Sequence, residues 1–191
     1  MLKEKLTQYI KDHPKDAEFF KEEKDYMIKH QLTERLLLEK EPDCRFMDAY
    51  IERCDKQSEN LIRNETSSFL SQPLVYFYKH KNEFVYLESK WWEFVHVDAV
   101  SLELDDVFGT YDVMLGLYLQ KKYEEKLRTF LKENLTGEKT NYDLIFNQQE
   151  GVWDLNFSLN AVDGFDENMT IGEAFQLIYR FLFQLMEGIE K

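Results

Sequence analysis

From position 109 the chain reads G-T-Y-D-V-M-L-G-L, and from position 151 it reads G-V-W-D-L-N-F-S-L. Glycine, aromatic, aspartate, aliphatic and leucine fall at the same offsets in both stretches. The likeness extends backwards: Leu102-x-Leu104-Asp105 matches Leu144-x-Phe146-Asn147, each followed by three residues and then the glycine. An Asp or Asn side chain can open a turn by hydrogen-bonding the backbone just ahead of it. A glycine supplies the positive φ that a bulged hairpin turn often needs. Each copy therefore predicts strand, turn, glycine, strand.

In the second copy Trp153, Leu155, Phe157, Leu159 and Ala161 alternate with Asp154, Asn156, Ser158 and Asn160, the pattern of a half-buried strand. In the first, Tyr111, Val113, Leu115, Leu117 and Leu119 form the apolar face. Its other face carries Asp112, Met114, Gly116 and Tyr118, which fits a strand covered on both sides. A helix is predicted after each hairpin. Tyr123, Leu127, Phe130 and Leu131 fall at helical spacing before Gly137, and Thr170-Ile-Gly-Glu173 is a capping box ahead of a long apolar face from Ala174 to Met186. The expected fold is α+β: a ββα unit used twice, over 98–136 and 140–191, giving a four-stranded antiparallel sheet with two helices on one face. Residues 73–191 form this core, and 1–72 are a helical N-terminal part packed on it in one compact domain.

Within 1–72, Leu2, Leu6, Tyr9 and Ile10 share a helical face. HPKD at 13–16 is a break, with Pro14 able to open a second helix that carries Phe19, Phe20, Tyr26 and Met27. After Pro42, the spacing of Phe46, Met47, Tyr50, Ile51, Cys54, Leu61 and Ile62 predicts a further helix. Residues 31–41 and 73–97 read as well for helix as for strand.

With 191 residues, 43% apolar and 15% aromatic, the chain has ample material for a core. No apolar run approaches the roughly 20 residues of a membrane span, and MLKEKLTQYIKDHPK has no secretory apolar segment. The expectation is a cytosolic protein away from membranes. Cys44 and Cys54, ten residues apart on one helix, would lie about 15 Å apart, too far for a disulfide. The charge is unevenly placed. Trp91–Gln120 and Thr140–Tyr179 hold no Lys or Arg, and their six and seven acids account for the whole net charge of −13. Phosphate binding needs clustered Lys and Arg, so nucleic acid is excluded as the expected partner. A basic protein or a divalent cation is easier to accommodate.

Several residues have types and spacings suited to chemistry. Asp112 and Asp154 occupy equivalent places in the two hairpins. If the hairpins meet about a dyad, the carboxylates could be neighbours that bind a hard cation or split their pKa values. Otherwise they are two solvated aspartates. His96 and Asp98 would share a strand face, with Asp98 orienting the imidazole as in a general-base dyad. Ser101 and Cys54 are conceivable nucleophiles, although nothing places either beside His96. The alternative is a surface histidine near a chance aspartate. Glu103, Asp105 and Asp106 form one acidic turn; Asp163, Asp166 and Glu167 form another. Neither has calcium-loop spacing, and acids before a helix are favoured by its dipole. Trp91-Trp92 reads as a partner anchor, or as core, since adjacent side chains diverge.

No phosphate loop, G-x-S-x-G, H-E-x-x-H or C-x-x-C occurs, and no metal site or cofactor is expected. Two functions fit. One is a non-enzymatic binding or regulatory protein whose acidic hairpin face (Asp105, Asp106, Asp112, Glu150 and Asp154), with Trp91 and Trp92, meets a basic partner. The other is a small enzyme built on His96 with Asp98, or on the Asp112/Asp154 pair, with or without a divalent cation. A homodimer formed through a sheet edge or the Trp91-Trp92 region is compatible with either.

Overall fold

Seven antiparallel strands form a single sheet in the computed structural model of the chain, which describes residues 1–14, 17–137 and 142–190. They are β1 (Tyr50–Asp55), β2 (Leu61–Glu65), β3 (Glu83–Glu88), β4 (Val97–Asp105), β5 (Thr110–Leu117), β6 (Tyr142–Asn147) and β7 (Val152–Ser158). Their order is β2-β1-β3-β4-β5-β7-β6. The α+β class holds, but the sheet has seven strands rather than the expected four.

Three hairpins close with one kind of turn. Asp105 Oδ1 accepts from the backbone N–H of Val107 and Phe108 at 2.8 and 3.1 Å, and Gly109 N–H donates to Asp105 O at 2.8 Å. Asn147 Oδ1 accepts from Gln149 and Glu150 at 3.1 and 3.3 Å, and Gly151 N–H donates to Asn147 O at 2.8 Å. Asp55 Oδ1 accepts from Gln57 and Ser58 at 3.1 and 2.9 Å, and Glu59 N–H donates to Asp55 O at 2.8 Å. The closing residues Glu59, Gly109 and Gly151 are all left-handed, with φ of 57°, 63° and 71°. The third turn, D-K-Q-S-E, lies outside the repeated motif. The repeat therefore records what this turn and a half-buried strand require, and a duplicated ββα unit does not describe the fold. The helices after the two similar hairpins differ as well: α4 (Glu124–Asn134) has 11 residues and α5 (Ile171–Glu190) has 20.

The N-terminal part departs further from expectation. Helices α1 (Leu2–Asp12) and α2 (Lys21–Lys29) form, but α2 starts after Phe20 and not at Pro14. Glu23 fixes that start by accepting from Phe20 N–H at 3.0 Å. In place of the helix expected after Pro42 there is a 3-10 turn, Pro42–Cys44, and then the β1–β2 hairpin. Cys44 and Cys54 thus lie on different elements, and both are free. Every β2 residue from Leu61 to Asn64 is exposed, so this edge strand has no alternation to reveal it. Residues 73–97 resolve into the one-turn helix α3 (Tyr76–Lys79), β3, and a 3-10 segment Lys90–Val95.

One sheet face supplies Ile51, Val85, Leu87, Val100, Leu102, Val113, Leu115, Leu155 and Phe157 to the core. Helix α5 lies against this face. The capping box opens it, with Thr170 N–H donating to Glu173 Oε2 at 2.7 Å and Glu173 N–H to Thr170 Oγ1 at 3.2 Å. Phe181 meets Phe157 of the sheet, with ring centroids 5.0 Å apart, while Phe183 meets Tyr26 of α2 at 5.9 Å. A helix buried on several sides needs apolar residues well beyond one stripe, and 13 of the 20 residues of α5 are buried. No helix among the described residues is long and apolar enough to cross a membrane.

Candidate functional site

The other sheet face carries no helical layer of core residues, and the strand registers define its rows. One row runs Glu52, Tyr86, Ser101, Met114, Asn156, Asp143; the next runs Cys54, Phe84, Glu103, Asp112, Ser158. Most of these side chains are half-buried or exposed, Cys54 and Ser158 being buried. Among the described residues seven carboxylates occupy strand positions on this face: Glu52, Glu88, Glu103, Asp105, Asp112, Asp143 and Asp154. No Lys or Arg occupies a strand position on it. Lys56 reaches in from the β1–β2 turn and pairs with Glu103 at 3.3 Å.

Asp112 and Asp154 share this face but are not neighbours. Asp112 lies opposite Ser158 and Asp154 opposite Gly116, four ladder positions apart, which is about 13 Å along the strands. The residue that does face Asp112 is Glu103, directly across β4–β5. Burial raises the pKa of both, and Asp105 raises each further. Lys56 acts in the opposite direction on both, as does the hydrogen bond from Thr110 Oγ1 to Asp112 at 2.9 Å. The sequence places Glu103 in an acidic turn; only the register shows that it faces Asp112.

The acidic turns do not form one surface. Because β5 and β7 are antiparallel, the 106–109 and 148–151 turns sit at opposite ends of the sheet. Asp106 and Glu150 are both exposed, one at each end, and the Asp105 carboxylate is held within its own turn. Asp166 is likewise a turn acid: it accepts from Asn168 N–H at 2.8 Å, and such bonds lower its pKa.

His96 is not on a strand. It caps the 3-10 segment in the left-handed conformation, with φ of 60°. Its Nε2 is buried and accepts or donates no hydrogen bond among the described residues. Burial, with Lys5 and the N-terminal ammonium nearby, pushes its pKa down to about 4. Asp98 is exposed and is engaged by the Tyr118 hydroxyl, so the expected dyad is not assembled. Ser101 and Cys54 lie in separate rows of the open face, away from the 3-10 cap.

Trp91 and Trp92 are both core residues rather than surface anchors, at 3% and 0% exposure. Trp92 Nε1–H donates to Leu87 O at 3.2 Å. Trp91 packs edge-on against Phe20 at 4.7 Å, beside the buried guanidinium of Arg45. Arg45 lies 4.2 Å from the Phe20 ring centre and 3.8 Å from that of Tyr179. It pairs with Glu23 at 2.6 Å and also with Glu22. Glu23, fully buried, accepts the Tyr179 hydroxyl as well. This cluster ties α2 to α5, and Glu22 and Arg45 also border a concavity of about 510 Å³ shared with Asp166, Glu173 and Arg180.

A broad concavity of about 1320 Å³ lies between α4 and α5, lined by Glu125, Phe130, Arg180 and Gln184 among others. It borders Asp163 but none of His96, Asp98, Asp112 or Asp154. Among the described residues no group of three His, Cys, Asp or Glu side chains is arranged to hold a metal. Comparison with protein families, curated proteins and solved structures finds none that this chain matches.

Proposed function

We propose that this chain is a binding protein whose open sheet face receives a basic partner protein. The observation that supports this is compositional and geometric together. Among the described residues, strand positions on that face carry seven carboxylates and no Lys or Arg, while the opposite face is covered by the core. A one-sign surface of this kind speeds encounter with the opposite charge and makes binding salt-dependent. Asp105, Asp112 and Asp154 belong to this face, and Asp106 and Glu150 flank its two ends.

The test is retention on an immobilised lysine- and arginine-containing peptide across a salt gradient. The wild type should elute at clearly higher salt than a Glu52→Gln/Glu88→Gln/Asp154→Asn variant. Co-elution of the two would remove the reading.

A further inference from the structure

One end of the open face differs from the rest. On β1 and β3, Tyr50 lies opposite Glu88 and Glu52 lies opposite Tyr86, so rings and carboxylates alternate in both directions. Each tyrosine donates along its own strand: Tyr50 to Glu52, and Tyr86 to Glu88 at 2.7 Å. At the same end Tyr118 donates to Asp98, whose charge is felt by Tyr86. Beyond Tyr86 and Glu88, the neighbouring β4 positions are the small residues Ser101 and Ala99. The rings therefore border a shallow floor.

Two cations whose fields reach this face are engaged outside the corner. Lys56 pairs with Glu103 in the neighbouring row, and Lys5, whose field reaches Asp98, donates to Glu93 O. Glu52 and Glu88 form no ion pair among the described residues. Each already accepts a tyrosine O–H, which fixes its orientation while leaving acceptor positions open.

This chemistry distinguishes between the two basic side chains. A guanidinium is planar, stacks on an aromatic face and offers paired N–H donors to a carboxylate. An ammonium is a strongly hydrated point charge that gains less from a flanking ring. Resting on the acidic-face reading above, we infer that the tyrosine–carboxylate corner formed by Tyr50, Glu52, Tyr86 and Glu88 is where the partner docks, and that it takes arginine side chains of an arginine-rich segment in preference to lysine.

Fluorescence anisotropy of labelled nona-arginine and nona-lysine, titrated with the whole protein at low salt, tests this. Nona-arginine should bind about tenfold more tightly than nona-lysine. Tyr50→Leu/Tyr86→Leu should bring the two peptides together, and Glu52→Gln/Glu88→Gln should weaken both. A charge-matched control on α4, Glu124→Gln/Glu125→Gln, should leave both unchanged. Tyr86→Phe retains the ring and should keep most of the preference, which guards against loss of fold in the leucine variant. Equal affinity for the two peptides would overturn the arginine preference and leave the acidic-face reading standing. Binding of neither would overturn both. A preference that survives Tyr50→Leu/Tyr86→Leu, or a control as weakened as the corner variant, would overturn the location.

Discussion

Glu103 and Asp112 face each other directly across β4 and β5, two carboxylates in register on one sheet face. Like charges directly opposite are destabilising by roughly 0.2–1 kcal/mol. Asp112→Asn keeps an oxygen that can accept from Thr110 Oγ1 and removes one of the two charges. It should stabilise the protein by up to about 1 kcal/mol at pH 7. The sign is fixed by the raised pKa of both groups: the folded state holds these protons more tightly than the unfolded one, so wild-type stability is lost as pH rises through their titration. The gap between variant and wild type should therefore shrink toward acid pH, as read by urea denaturation at two pH values.

Arg45 and Glu23 behave in the opposite way. Both are buried, and the pair also holds the Tyr179 hydroxyl. Arg45→Met leaves the Glu23 carboxylate without its cation and should cost about 3–5 kcal/mol, whereas Arg45→Met with Glu23→Leu should recover much of that loss. A double-mutant cycle by denaturant unfolding measures the coupling, and additive effects would contradict the pairing.

His96 should give a distinct pH signature. With a folded pKa of about 4 against 6.5 for a free histidine, the unfolded chain takes up a proton that the folded chain refuses. The stability this histidine supports is complete above pH 6.5 and is lost as pH falls toward 4. His96→Asn, which tolerates the left-handed backbone, should flatten that slope. The expected difference across the window is roughly 1 kcal/mol, reduced from the full shift because the ring is partly exposed.

Glu59 holds the left-handed turn position that Gly109 and Gly151 fill in the other hairpins. A non-glycine residue there costs roughly 1–2 kcal/mol, part of which a glycine gives back as backbone entropy. Glu59→Gly should therefore raise stability by about 0.5 kcal/mol, or a degree or two in Tm. Gly109→Ala and Gly151→Ala should each lower it by about 1 kcal/mol or more. Nothing lies within 4 Å of a Cβ built at either glycine, so these losses would report backbone conformation alone.

What could be read from the residues was local. The capping box at Thr170, the α1 stripe, and the Asp105 and Asn147 turns each depend on atoms within a few positions, and each is found in the structure. The spacing of Tyr50, Ile51, Cys54, Leu61 and Ile62 misled because it suits a helix while the true elements are an edge hairpin. Its outer strand is exposed on both sides, and its turn closes on Glu59 instead of a glycine. The dense relationships are those of register and packing. Glu103 meets Asp112, Tyr86 meets Glu52, and Arg45 meets Glu23 and Tyr179 only once long stretches of chain have been brought together. Trp91 and Trp92 show the same limit: adjacent residues diverge in a regular element, yet a 3-10 segment wedged between α1, α5 and the sheet buries both.

The placement of α5 has a consequence for how this molecule opens. Residues 171–190 form the middle of the molecule, with sheet on one side and the N-terminal helices on the other. The helix meets the rings of Tyr26 and Trp92 as well as the apolar sheet face. Opening of residues 171–190 would therefore uncover apolar surface on both sides at once, so this helix should exchange its amide protons only when the whole molecule opens.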